Sequence, residues 1–290
     1  DADCFLAAAN LAQDDNEKLY WLNQAMHHYG VSKLSFRQDQ NIPLYDRLFV
    51  ADNMQRKYQG PMVSVIMPAF NAEKFIRTAL DSVLSQTWSN IEVLVVDDCS
   101  TDSTMQIIRE YEKKDPRVRV FRTNENSGPY VARNLALQNA KGEFVTCHDA
   151  DDWSHPQKIE RQMQHLLDNS RVVANLSEQA RATSDLTFHR RGWFGNYIFS
   201  NMSSFMFRRK PVMEAAGYWD SVRFGADSEF IRRIEKLFGD QAVVQLSTGP
   251  LSFQRQSNMS LTGNASFGYH GYLMGARKEY FEAYMRVEIS

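Results

Sequence analysis

The chain has 290 residues, 43% of them hydrophobic and 23% charged, with a formal net charge of −2. That is the make-up of an ordinary globular protein with room for one large domain and an appendage, and the near-neutral balance argues against bulk nucleic-acid binding, which needs a basic face. Three cysteines, Cys4, Cys99 and Cys147, are odd in number and lack metal-site spacing, so a reducing, cytoplasmic compartment is expected.

Residues 5–29 place Leu6, Leu11, Leu19, Leu22, Ala25 and Met26 at helical spacings around a polar DDNE interruption, which predicts a helical hairpin. His27 and His28 are neighbours that point in different directions on a helix, as surface residues do. Residues 30–60 read as polar and irregular, and Gln59-Gly60-Pro61 marks a boundary. From Val63 the texture changes. VSVIMPAF is a buried-type strand, followed by an amphipathic helix in EKFIRTALDSVLSQT. IEVLVVDD is a second strand, and a helix follows with Ser100 or Thr101 expected as its N-cap. RVRVFRT alternates and so belongs nearer an edge. Pro129 opens the next helix, where its missing N–H costs nothing, and GEFVTCHDADDW is a fourth strand.

Strand and helix alternate four times, which predicts an α/β fold with a mostly parallel central sheet and helices on both faces. Ligands of such sheets bind beyond the carboxyl ends of the strands. The polar clusters Pro68-Ala69-Phe70-Asn71, Asp97-Asp98 and Asp149-Ala150-Asp151 all stand there. A lone DxD is weak, since Asp1-Ala2-Asp3 repeats it with no strand leading in. On an extended strand Asp149 and Asp151 point the same way and can share an ion. Oxygen ligands without His or Cys favour Mg²⁺ or Mn²⁺, and Mg²⁺ usually joins one or two carboxylates to substrate phosphates. No GxxxxGK[ST] or GxGxxG follows any strand, so the phosphate cradle of a nucleoside triphosphatase is missing. Asp98 is placed to accept the N–H of a base, and Arg133 to reach a base or a phosphate.

The run VSVIMPAFN…AL.SVLSQTW.NIEVLVVDD.STD.T…N.SGPYVARN.AL..AKGEFVTCHDADDW resembles family 2 glycosyltransferases of the GT-A fold, densely over residues 62–160 and more loosely to about 262. The resemblance implies that Pro68, Phe70, Asn71, Asp98 and Arg133 hold the nucleotide, with Asp98 on the base. It places Asp149 against the ribose or metal, and Asp151 on the cation that bridges the diphosphate. Many members open a later helix with Glu-Asp, the Asp being the catalytic base; here Ala226 and Asp227 stand there, so Asp227 is the candidate base, Glu229 a second choice, and helix capping the plain alternative for Asp227. Residues 254–262, including Arg255, resemble the family's loop over the diphosphate, but Ser257 occupies roughly the place of its usual metal-binding His, which leaves water or His270 to fill that position.

Trp153 could stack on an acceptor sugar or simply pack between the sheet and the helix HPQKIERQMQHLL. The terminal YHGYLMGARKEYFEAY could lie on a membrane or an acidic glycan, or pack as a helix on the sheet. The expected division is a helical extension and linker over 1–60, a glycosyltransferase domain over 61–265 with nucleotide and acceptor halves meeting at 160/161, and a C-terminal helical segment over 266–290. The expected activity is metal-dependent, inverting transfer from a nucleotide sugar, a UDP-sugar first of all, to a glycan or lipid-linked glycan acceptor in surface polysaccharide synthesis. A catalytically silent scaffold and a sugar nucleotidyltransferase are the alternatives. The longest apolar runs are too short to span a bilayer. The chain lacks an initiator Met, so we expect a piece of a longer protein, with further domains or a membrane contact at the inner face supplied by its flanks.

Overall fold

The computed structural model describes residues 2–52, 54–191, 195–256 and 275–286. Helices α1 (Ala2–Leu11) and α2 (Asp15–His28) form the hairpin read from the sequence, with Leu6, Leu22, Ala25 and Met26 buried and both histidines exposed. The polar interruption works as a cap: the Asp14 carboxylate accepts the Glu17 N–H at 2.9 Å, and Asp15 and Glu17 suit the positive end of the helix dipole. The next stretch is more ordered than its composition suggested. β1 (Leu34–Phe36) pairs antiparallel with β2 (Leu48–Val50), joined through a 3₁₀ turn at Leu44–Arg47. Three-residue strands are too short to show an alternation that sequence can reveal.

The four alternating units form as expected: β3 (Val63–Ala69), α3 (Ile76–Leu84), β4 (Ile91–Asp97), α4 (Thr104–Lys114), β5 (Val118–Arg122), α5 (Pro129–Asn139) and β6 (Phe144–Cys147). Their strands are mutually parallel in the order β5-β4-β3-β6, with β5 outermost. Pro129 does open its helix. The N-cap of α4, however, is Ser103, because Ser100 and Thr101 are turned instead toward Asn71.

After β6 come β7 (Trp153–Ser154), α6 (Lys158–Asp168), β8 (Ala174–Ala182), β9 (Phe188–His189), β10 (Ile198–Ser200), β11 (Met206–Arg208), α7 (Arg209–Ala215), α8 (Ala226–Phe238), β12 (Val243–Arg255) and α9 (Ala276–Arg286). The sheet continues β6-β11-β8-β12-β7, with β11 antiparallel to both its neighbours and β12 parallel to β8. The carboxyl ends of β3, β4, β6, β8 and β12 therefore share one rim with the amino end of β11. Helices α5, α7 and α8 cover one face and α3, α4 and α6 the other. A third apolar cluster forms where the N-terminal hairpin meets β7, β8 and β12, with Tyr45, Trp153, Leu251 and Phe253 at its centre. The final helix docks on α8, where Arg232 donates to the Met285 carbonyl at 3.0 Å. Among the described residues no helix is long and apolar enough to cross a membrane.

Gly249 shows how closely the extension fits. Its φ is +71°, and an added Cβ would sit 2.3 Å from the Tyr29 ring at the end of α2. Gly249→Ala therefore combines left-handed strain with overpacking and is expected to cost about 2 kcal/mol, measurable by urea unfolding.

Candidate active site

β3 has β4 on one side and β6 on the other, so the chain leaves the sheet in opposite directions from adjacent strands. That opens a crevice at their carboxyl ends, the usual ligand position in such sheets. The backbone there is strained. Asn71 after β3 and Cys99 after β4 are non-glycine residues at φ 48° and 62°. The Asn71 side-chain oxygen accepts the Thr101 N–H at 2.8 Å, and its own N–H donates to the Ser100 hydroxyl at 3.0 Å. Pro68 is partly buried within β3, while Phe70 is 49% exposed and faces solvent. Asp98 is buried and heavily committed: it accepts the Thr123 hydroxyl at 2.7 Å and the N–H groups of Ser127 and Gly128 at 3.0 and 2.7 Å. It thereby fastens the loop from 123 to 128, which closes that side of the crevice.

Arg133, on α5 and only 3% exposed, sits between carboxylates from two parts of the chain. Its Nη2 donates to Asp149 at 2.9 Å and its Nη1 to Asp227 at 2.5 Å. Tyr130, one helical turn earlier on the same face, donates its hydroxyl to the other Asp227 oxygen at 2.9 Å and lies under the Arg133 guanidinium. Burial, opposed by Arg133, pushes the Asp227 carboxyl up, whereas Asp149 is held below the usual range by Arg133 and by the Ser203 hydroxyl, which donates to it at 2.6 Å, against the opposing effect of its burial.

The three carboxylates beyond β6 do not lie on an extended strand. The strand ends at Cys147, and the Asp152 N–H closes a turn onto the Asp149 carbonyl at 3.3 Å. The expectation that alternation aligns Asp149 with Asp151 is thus replaced by a turn that brings both to the rim. Asp149 spends both oxygens on Arg133 and Ser203, and Asp152 accepts the Arg255 N–H at 2.9 Å. Among the described residues the Asp151 carboxylate has no side-chain partner, and burial together with the Asp149 charge pushes it up to about 6. Among the described residues no cluster of three or more His, Cys, Asp or Glu is arranged to hold a metal. A crowded, unpartnered carboxylate beside a second one does fit a Mg²⁺ or Mn²⁺ ion that completes its shell with water and phosphate oxygens.

Residues 64–230 match the family described as Glycosyl transferase family 2. The chain belongs to that family. It is 44% identical over 110 residues to a putative teichuronic acid biosynthesis glycosyltransferase, TuaG, of Bacillus subtilis, covering 38% of this chain and 44% of TuaG. It is 40% identical over 115 residues to an uncharacterized glycosyltransferase of Haemophilus influenzae, covering 40% of this chain and 46% of that protein. The match spans less than half the length of these relatives. In fold it resembles S. aureus TarS residues 1–349 in complex with UDP-GlcNAc, with a TM-score of 0.61 and 24% identity over 78% of this chain and 64% of that one. It also resembles the mannosyltransferase PcManGT of Pyrobaculum calidifontis in complex with GDP-Man and Mn²⁺, with a TM-score of 0.57 and 18% identity over 100% of this chain and 76% of that one.

The remaining residues that the glycosyltransferase resemblance had singled out divide clearly. Asp227 is the second residue of α8 and does not cap it; Gly225 holds the cap position. Glu229 points away from Asp227 and pairs with Arg233 one turn on. Trp153 is 3% exposed and stacks on Phe253 at 5.5 Å, so the packing alternative holds, although the partner is the N-terminal cluster rather than α6. Arg255 is buried and bound to the carboxylate turn and to Asp46, facing no open space. Ser257 and His270 lie outside the described residues. Sequence reasoning missed Tyr130, Ser203 and Arg181, the last a buried residue of β8 whose charge acts on Asp151 and Asp152. Tyr130 was visible as the residue three before Arg133 on one helix; Ser203 required knowing that β11 runs antiparallel and so begins at the rim.

A carboxyl whose folded pKa exceeds its unfolded value takes up its proton between about pH 4 and 6 in the native state first, so native stability falls as pH rises through that window. Metal-free Asp151→Asn is expected to exceed wild type by up to about 3 kcal/mol near neutral pH and to match it below about pH 4, in urea unfolding with EDTA.

Proposed function

We propose that this chain transfers a sugar from a UDP-sugar to a hydroxyl of a glycan or lipid-linked glycan acceptor, with inversion at the anomeric carbon, during synthesis of a bacterial surface polysaccharide. The observation that carries the reading is Arg133 joining Asp149 to Asp227, with the Asp151 carboxylate beside them and without a side-chain partner among the described residues. Family membership supports the reaction class, and the teichuronic acid relative supports the polysaccharide setting. In this reading residues 61–265 form the transferase domain and 1–60 its extension.

Asp151, with Asp149 beside it, would hold a divalent cation, which supplies charge neutralisation for a departing nucleoside diphosphate. Asp227 receives the proton of the acceptor hydroxyl as that oxygen bonds to the anomeric carbon. The bond from that carbon to the diphosphate breaks, and its electron pair leaves with the nucleotide. Attack from the face opposite the diphosphate is a single displacement and inverts the centre. Burial suits Asp227 to the task, since a base works best with its pKa raised toward the working pH. Arg133 and Tyr130 hold both Asp227 oxygens, so an acceptor hydroxyl must take one of those places as it binds. Asp98 and the loop it fastens shape the pocket for the base, with Pro68, Phe70 and Asn71 on the opposite wall.

Two substitutions separate the roles. Asp151→Asn should abolish the Mn²⁺-dependent part of the thermal shift that UDP gives, because a ligand that binds only the native state raises its melting temperature. Asp227→Asn should keep that shift and lose turnover by about 10²–10⁴-fold, read as UDP release from UDP-sugars with acceptor present. Normal turnover by Asp227→Asn would place the base elsewhere; a metal-dependent shift with no release from any nucleotide sugar, across acceptors, would favour the silent scaffold.

A further inference from the structure

The carboxylate turn is held, directly at Tyr45 and through Arg255 at Asp46, by two consecutive residues that lie about a hundred positions earlier in the chain. Tyr45 is fully buried; its N–H donates to the Ser184 carbonyl at 3.0 Å. Its hydroxyl donates to the Phe253 carbonyl and accepts the Trp153 N–H at 2.9 Å, so one phenol joins the exit of the turn to β12. Asp46 pairs with the Arg255 guanidinium and accepts the Thr78 hydroxyl of α3 at 2.7 Å. Arg255 in turn lies 3.8 Å over the Tyr45 ring, donates its backbone N–H to Asp152 at 2.9 Å and its Nε to the Asp151 carbonyl at 3.1 Å. The extension thus holds Trp153 directly through Tyr45, and Asp151 and Asp152 through Arg255 of β12.

Apolar packing already anchors this extension, through Leu6, Leu22, Met26 and Leu34 in the third cluster. A buried ion pair adds little to stability on its own account, since desolvation offsets its attraction. What it does supply is orientation, and here the atoms oriented belong to the turn that carries Asp151. We propose that Tyr45 and Asp46 are positioning residues for that turn, setting the direction of the Asp151 carboxylate and hence its affinity for a divalent cation bridged to a nucleoside diphosphate. The inference rests on the reading that Asp151 holds the cation.

The test is calorimetric, on the whole chain. Mn²⁺ is titrated into protein saturated with UDP, and UDP is titrated separately in EDTA. Removing an outer partner of a metal ligand commonly weakens metal binding by about 10–100-fold, and that loss is expected for Asp46→Asn and for Tyr45→Phe, with UDP affinity in EDTA unchanged and turnover restored by excess Mn²⁺. Asp15→Asn, which removes a surface pair of the same extension to Arg47, should bind Mn²⁺ as wild type does. Tyr45→Phe deletes a single oxygen and decides the matter if Asp46→Asn does not fold. Wild-type Mn²⁺ affinity in the folded variants, or an equal loss of UDP affinity in EDTA, overturns the proposal. Wild-type protein that binds UDP with no dependence on Mn²⁺ overturns the metal reading itself, and this one with it.

Discussion

Everything at the rim depends on one buried cation. Arg133 comes from α5, Asp149 from the turn after β6, and Asp227 from the start of α8 nearly a hundred residues further on. A guanidinium is suited to that position because its planar fork offers separate N–H groups to two carboxylates without losing its charge. Taking such a group out of water is costly, and the cost is recovered only if the partners are well aimed. Its Nε, buried and without a hydrogen-bond partner, shows that the aim is incomplete. Shortening the side chain would leave two carboxylates facing each other in a low-dielectric site, so the two halves of the domain are electrostatically answerable to one residue.

Around that cation the carboxylates and basic groups are equal in number but do not pair one to one. Asp149, Asp151, Asp152 and Asp227 are surrounded by Arg133, Arg181, Arg255 and Lys158. Burial drives the Lys158 amine down to about 8, and the hydroxyl of Ser154 stands 3.4 Å from it. Burial and the neighbouring carboxylates push Asp152 well above the ordinary carboxyl range, while His148 beneath the turn is driven down to about 3 and stays neutral. A core selected for stability alone would not gather these groups. In the reading proposed above, a site that accepts a phosphate-bound cation gains from holding negative charge ready at the surface of such a cluster.

The parallel part of the sheet was legible because its signals are local and repeated: four apolar strands, each ending in polar residues, with a proline opening α5. The same strand ends put Pro68, Phe70, Asn71, Asp98 and Asp149 on one rim. Local signals mislead where geometry depends on distant partners. Alternation assumed that the strand continued through Asp151, but Tyr45 and Arg255 hold those residues in a turn. The Ser100 and Thr101 side of the α4 entry looked like a cap, yet Asn71 of the neighbouring strand recruits both. Nothing in the neighbourhood of Trp153 in sequence announces that Tyr45 of the extension and Phe253 of β12 enclose it.

The same locality separates strain from satisfaction in the finished fold. The two apolar faces of the sheet are closed by regular helices, whereas two of the three non-glycine residues at positive φ among the described residues stand at the carboxyl ends of β3 and β4. Beside them Asp97 keeps a buried oxygen that makes no hydrogen bond, although Arg122 lies 3.3 Å from it, and Asp151 faces the crevice without a side-chain partner among the described residues. Strained dihedrals, unsatisfied polar atoms and repelling carboxylates each lower stability, and a random scatter of such defects would carry no meaning. Their concentration on one rim, held in place by Arg133 from one side and by the N-terminal extension from the other, is what a preorganised site requires: the protein bears the cost of arranging charge before the ligand arrives, so that binding need not reorganise it.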